Sequence, residues 1–107
     1  MSERIELIEN GVCMGVIEFH VAVDFADIHD VVVKAEYRGK GYGAKLMSEF
    51  LTQMKKRNVI DVTLEVRMDN VAAIALYEKF GFKKVNVRKG YYGNVDGLLM
   101  KLASESR

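Results

Sequence analysis

Apolar positions follow two rhythms along this chain. Short β-branched or alternating runs predict strands at Ile5–Ile8, Cys13–Val23, Ile28–Val33, Val59–Arg67, Phe82–Arg88 and Leu98–Leu102. Between the third and fourth runs the pattern changes. Leu46, Met47, Phe50, Leu51 and Met54 recur with a period near 3.6 and predict a helix from about Tyr42 to Arg57. Lys55, Lys56 and Arg57 suit the negative end of its dipole. A second helix is expected after Asp69 or Asn70, either of which can cap it, and ends at Gly81. Glu9-Asn10-Gly11 reads as a hairpin turn, Asp24–Asp27 as a second turn, and Gly15 as the site of a bulge. A glycine- and tyrosine-containing loop from Lys89 to Gly97 joins the last two strands.

The resulting order, β-β-β-α-β-α-β-β, predicts an α/β (α+β) fold with a mixed sheet. The sheet is antiparallel at its ends, with βαβ crossovers in the middle. The 107 residues support one domain, 1–107. Composition narrows the function more by exclusion than by suggestion. A net charge of +1 provides no global field for nucleic acid or an anionic membrane. No apolar run approaches the roughly 20 residues of a membrane span. Cys13 is the single cysteine and the first residues form no apolar leader, so a cytoplasmic protein is expected.

The strongest candidate for chemistry is Arg38-Gly39-Lys40-Gly41-Tyr42-Gly43-Ala44, which sits where a strand gives way to a helix. Gly39, Gly41 and Gly43 allow backbone N–H groups to approach an anion closely. The helix N-terminus adds partial positive charge, and Arg38 or Lys40 adds a full one. The spacing is neither that of a dinucleotide-binding fingerprint nor that of a P-loop. Glu65 lies within Asp61-Val62-Thr63-Leu64-Glu65-Val66-Arg67, a strand flanked by crossover helices, where a carboxylate needs water, a partner or a ligand. It reads either as a general base or as the partner of Arg67 or another cation. Tyr77, on the second helix, is either a proton donor or, as is usual for a helical aromatic, part of the core. His20 and His29 have no metal-like companions in sequence, so no metal site is expected. Lys83, Lys84, Arg88 and Lys89 read as a solvated basic face, and Tyr91 and Tyr92 as a partner contact or a loop anchor.

Taken together, these segments resemble the GCN5-related N-acetyltransferases, and within them the ribosomal-protein alanine N-acetyltransferase group. The resemblance runs over residues 5 to 102. It is carried by Arg38 to Ala44, by Leu64-Glu65-Val66-Arg67-Met68-Asp69-Asn70, by Ala72 to Phe82 and by Arg88-Lys89-Gly90-Tyr91-Tyr92. The resemblance implies acetyl transfer from acetyl-CoA to an amine, either a protein N-terminus or a small amine. Val31, Val32 and Val33 then offer backbone groups to the pantetheine arm, and Arg38, Gly39, Lys40, Gly41, Tyr42, Gly43 and Ala44 hold the pyrophosphate. Asn70 contacts the pantetheine or acetyl end, Glu65 is the general base and Tyr77 the general acid. Relative to that pattern the chain is shortened at its N-terminus, lacking a strand and two helices. A homodimer covering the exposed sheet is therefore expected. A non-catalytic acetyl-CoA-binding module is the alternative.

Overall fold

Alternation along the central strands puts one side of each into a common core. The computed structural model describes residues 2–103. One sheet, ordered β1-β2-β3-β4-β6-β5, is built from β1 (Ser2–Glu9), β2 (Val12–Ala22), β3 (Phe25–Val33), β4 (Asp61–Arg67), β5 (Lys83–Arg88) and β6 (Gly97–Ala103). Helix α1 (Tyr42–Lys56) and helix α2 (Val71–Lys79) supply the crossovers, and a short 3-10 turn, Ala35–Tyr37, follows β3. Only β3 and β4 run parallel; the other neighbours are antiparallel. The expected order of elements is the observed one. No helix among the described residues is long and apolar enough to cross a membrane.

Ile17 and Phe19 of β2, Ala26 and Ile28 of β3, Val62, Leu64 and Val66 of β4, and Leu98 and Met100 of β6 share the buried face. Helix α1 covers that face with Leu46, Met47, Phe50 and Met54, and the Phe50 ring meets Phe19 edge-on at 4.9 Å. Burying each such side chain contributes about 1.5–3 kcal/mol. Two close approaches fix how the layers meet. A Cβ at Gly15 would lie 2.6 Å from the Val32 carbonyl oxygen and 3.0 Å from Leu46, and one at Gly43 would lie 3.3 Å from Leu76 of α2. Arg57 pairs both guanidinium nitrogens with Glu3 at 2.9 Å, tying the end of α1 to β1. The opposite face, by register, carries Arg4, Glu18, His20, Asp27, Thr63, Glu65 and Lys101, so it is polar and charged and no helix of the chain covers it.

Three local features differ from the sequence expectation. The bulge expected at Gly15 falls one residue earlier: Leu7 pairs with Gly15 and Ile8 with Cys13, leaving Met14 extra. A second bulge, invisible in sequence, leaves His29 unpaired, because Ile28 pairs with Phe19 and Asp30 with Glu18. The second turn is Val23–Asp24 rather than Asp24–Asp27, because β3 already pairs from Phe25 with Ala22. This places Val23 at φ +57°, a left-handed conformation that a β-branched residue adopts at a cost of about 1–2 kcal/mol. Its side chain is 95% exposed, so packing does not compensate. Val23→Asn is therefore expected to stabilise the domain by about 1 kcal/mol, read as a higher urea midpoint with an unchanged m-value.

Candidate active site at the split between β3 and β4

The parallel pairing of β3 with β4 ends at Ile28 and Leu64, although β3 continues to Val33 and β4 to Arg67. Beyond that point the strands part. A crevice at the carboxyl ends of parallel strands, where neighbouring connections diverge, is where open α/β sheets bind ligands. Alternation decides which backbone groups face it. Lys34 N–H donates to the Met14 carbonyl, so Lys34 and Val32 face β2. Val31 and Val33 face the split, and the Val33 carbonyl accepts a bond from Arg38 Nε at 3.0 Å. Of the three valines expected to serve a ligand, Val32 therefore has its backbone turned away.

The glycine turn lies at the end of this crevice. Gly39 and Gly41 take φ of +77° and +84°, and Gly41 is the N-cap of α1. Gly43 and Ala44 already belong to the first turn of the helix. The first bond into the turn is donated by Lys45 N–H to the Gly41 carbonyl at 3.1 Å. Among the described residues, no backbone N–H from Gly39 to Ala44 has a hydrogen-bond partner, and no acidic side chain sits in the first turn of α1. Left-handed glycines alternating with ordinary residues at a helix start make a concave array of donors suited to an anion. Lys40 is exposed there, whereas Arg38 is partly committed to Val33. The Tyr42 ring turns toward Glu9 and Tyr37, so its backbone rather than its hydroxyl faces the array.

Glu65 emerges on the uncovered face, on the wall of a cavity of about 580 Å³ shared with His20, Asp27, His29, Thr63, Arg88, Tyr91 and Tyr92. Its expected partner Arg67 is bound elsewhere, bidentate to Asp69 at 3.0 Å. Arg88 Nε lies 3.1 Å from Glu65 Oε2, within ion-pair distance but outside hydrogen-bond alignment, and Oε2 has no hydrogen-bond partner. Glycine at 97 leaves the room that Oε2 occupies: a Cβ there would stand 3.1 Å from it. Glu65 therefore presents a buried carboxylate oxygen beside a cation, with no hydrogen-bond partner among the described residues.

Tyr77 comes from the helix side. It is 8% exposed and packs near Phe82 with ring centroids 6.0 Å apart, and its hydroxyl has no hydrogen-bond partner among the described residues. Burial, reinforced by the charge of Asp30 and by Tyr92, pushes its pKa up to about 12. Burial likewise raises Tyr92, with Glu65 the next cause. Asn70 caps α2, its Oδ1 accepting the Ala73 N–H at 3.2 Å, which leaves its amide N–H groups available.

Sequence reading missed Arg88 as the cation beside Glu65 and took it for part of a solvated face. The antiparallel register that sets Arg88 opposite Gly97, and Leu99 opposite both Glu65 and Asn86, is not written in local pattern. The premise that His20 and His29 lack companions is also corrected. His20 Nδ1 lies 2.6 Å from His29 Nε2, and Asp27 stands beside them.

The Acetyltransferase (GNAT) family model matches residues 4–82. The chain belongs to the GNAT family. It is 36% identical over 92 residues to the [ribosomal protein bS18]-alanine N-acetyltransferase of Escherichia coli, an alignment covering 86% of this chain and 62% of that one. The chain thus spans about three-fifths of the length of the curated relatives it matches. The crystal structure of the Escherichia coli ribosomal-protein-S18-alanine N-acetyltransferase superposes with a TM-score of 0.92 at 32% identity, covering 99% of this chain and 72% of that one. A chain of the NatC complex bound to Gag peptide and CoA superposes at 0.79 with 25% identity, covering 89% and 64%.

In this GNAT domain the raised Tyr77 pKa couples folding to pH. The unfolded phenol ionises near 10 and the folded one near 12. Between those values the unfolded state holds fewer protons, so this contribution is complete below pH 10 and is lost as pH rises through the folded value. Tyr77→Phe is expected to flatten the fall in unfolding free energy above pH 10 by about 1–2 kcal/mol at pH 11, measured by urea denaturation. An identical slope in both proteins contradicts it.

Proposed function

We propose that this GNAT domain moves an acetyl group from acetyl-CoA to a primary amine, most simply the α-amino group of a protein N-terminus. The observation that carries the reading is the run of N–H groups from Gly39 to Ala44 with no hydrogen-bond partner among the described residues, at the start of the helix that follows β3, the strand whose pairing with β4 ends at Ile28. The relatives support it: one is a ribosomal-protein-alanine N-acetyltransferase, and another belongs to a complex bound to a peptide and CoA.

In this reading the donors at 39–44, with Lys40, hold the diphosphate. The backbone edges of Val31 and Val33 hold the arm, and the Asn70 amide donates near its reactive end. A protein α-amino group has a reference pKa near 8 and is mostly protonated at neutral pH. Glu65, directly or through one water, takes a proton from it. The amine then attacks the thioester carbon, and a backbone N–H from the split-facing edge of β3 stabilises the oxyanion. The C–N bond forms, the C–S bond breaks, the Tyr77 phenol protonates the leaving thiolate, and the second proton, shed by the nitrogen as the amide forms, passes through water to the phenolate. A phenol held neutral by burial is always in the donor form at physiological pH. Arg88 positions the Glu65 carboxylate.

The test has two stages. Calorimetry should first show one acetyl-CoA per chain; no binding by folded protein overturns the assignment. Thiol release with a peptide beginning in alanine should then fall about 10²–10⁴-fold in kcat for Glu65→Gln, and about 10²-fold for Tyr77→Phe. Full activity in Glu65→Gln removes it from the mechanism. The second reading is an acetyl-CoA-binding module without turnover. Tight binding with no thiol release on any amine selects that reading.

A further inference from the structure

We propose that His20, Asp27 and His29 form a binding site for a single transition-metal dication of the zinc class on the uncovered face of the sheet. His20 and Asp27 are directly opposed in the β2–β3 register, which brings their side chains together on one face. His29 is the extra residue of the β3 bulge, and such an insertion re-aims a side chain; here it brings the His29 ring to 2.6 Å from His20 Nδ1. Asp27 Oδ2 stands 3.8 Å from the same His29 nitrogen, and one donor atom from each residue falls within a 4.8 Å span.

A tetrahedral ion with bonds of about 2.0–2.2 Å holds its donors roughly 3.3 Å apart. The two imidazole nitrogens must therefore separate by about 0.7 Å and the carboxylate close in by about 0.5 to 1.5 Å, motions within reach of partly exposed side chains. With each ring in the tautomer that carries its proton on the far nitrogen, both lone pairs turn toward the ion. The carboxylate is already oriented. Thr63 Oγ1 donates to Asp27 Oδ1 at 2.7 Å, leaving Oδ2 toward the histidines, the kind of supporting contact that fixes a metal-binding carboxylate.

Two imidazoles and one carboxylate suit Zn²⁺, Co²⁺, Ni²⁺ or Cu²⁺, and disfavour Mg²⁺ and Ca²⁺, which select oxygen donors. Three protein ligands leave a coordination position open. It faces the cavity that also holds Glu65, Arg88 and Tyr92, so a bound ion has room for water or for a donor atom carried by whatever enters there. The site is independent of acetyl transfer, and its test does not use activity.

Untagged full-length protein is titrated with Co²⁺ while the visible d–d absorption is followed, and Zn²⁺ is then added in competition. The expected result is one equivalent bound with the intensity of four-coordinate cobalt, displaced by Zn²⁺. Affinity should fall at least tenfold in His20→Gln and in His29→Gln, and about tenfold in Thr63→Val, which removes only the contact that orients Asp27. Far-UV circular dichroism and a cooperative melt establish that each variant is folded. If folded wild-type protein takes up neither metal at sub-millimolar concentration, the proposal is wrong. It is equally wrong if both histidine variants bind as tightly as wild type, which would assign the metal to another residue such as Cys13.

Discussion

One extra residue, His29, shapes the middle of this sheet. Phe19 pairs with Ile28 and Glu18 with Asp30, so His29 is inserted in β3 with no partner on β2. The last pair that β3 makes with β4 is Ile28 with Leu64, the residue immediately before the insertion. A bulge bends its strand and increases the local twist. Placed here, it turns the second half of β3 away from β4 while β2, which has a bulge of its own at Met14, follows it. Without that bend the parallel ladder would continue toward Val33 and Arg67, and Val31 and Val33 would present their backbone groups to β4 instead of to a ligand.

The crevice then depends on the connection that follows. The chain must leave β3, turn and start α1 within a few residues. The 3-10 turn, the left-handed glycines at 39 and 41 and the Gly41 cap accomplish this without using the N–H groups of the turn. Leaving donors unpaired is tolerable only where water or an anion satisfies them. Arg38 reaches back to the Val33 carbonyl and steadies the end of the strand against the start of the turn. Gly15 lets β2 approach Val32 closely, so the same pair of strands supports the rim from behind.

How much of this was readable in advance follows from the range of the interactions. Local features came through: the Asn10-Gly11 hairpin with both residues at positive φ, the span of α1, the Asn70 cap and the positive φ of Gly81 after α2. Each depends on residues a few positions apart. The order of elements and the family resemblance were also legible, because several spaced segments carry them together. Cross-strand register was not. The bulges at Met14 and His29, the parting of β3 from β4, the pairing of Arg67 with Asp69 rather than Glu65, and the meeting of His20, Asp27 and His29 all depend on which residue faces which across a strand gap. Tyr77 illustrates a mixed case. Core packing and proton donation were set against each other in the sequence; the residue is buried among apolar neighbours, and that packing leaves its hydroxyl without a hydrogen-bond partner among the described residues.

The sheet separates the two groups of the proposed chemistry. Glu65 projects from β4 on the charged face, as alternation requires once Val62, Leu64 and Val66 take the core side. Tyr77 approaches from the helix layer. A proton acceptor and a proton donor placed on one side of a thioester would exchange protons with each other or compete for the same amine. Set on opposite faces of a split sheet, they meet only through whatever occupies the gap. In the proposed reaction the amine would arrive from the polar face, where Glu65 and the cavity lie, and the thiolate would leave toward the phenol. Burial favours the neutral, proton-donating form of the phenol.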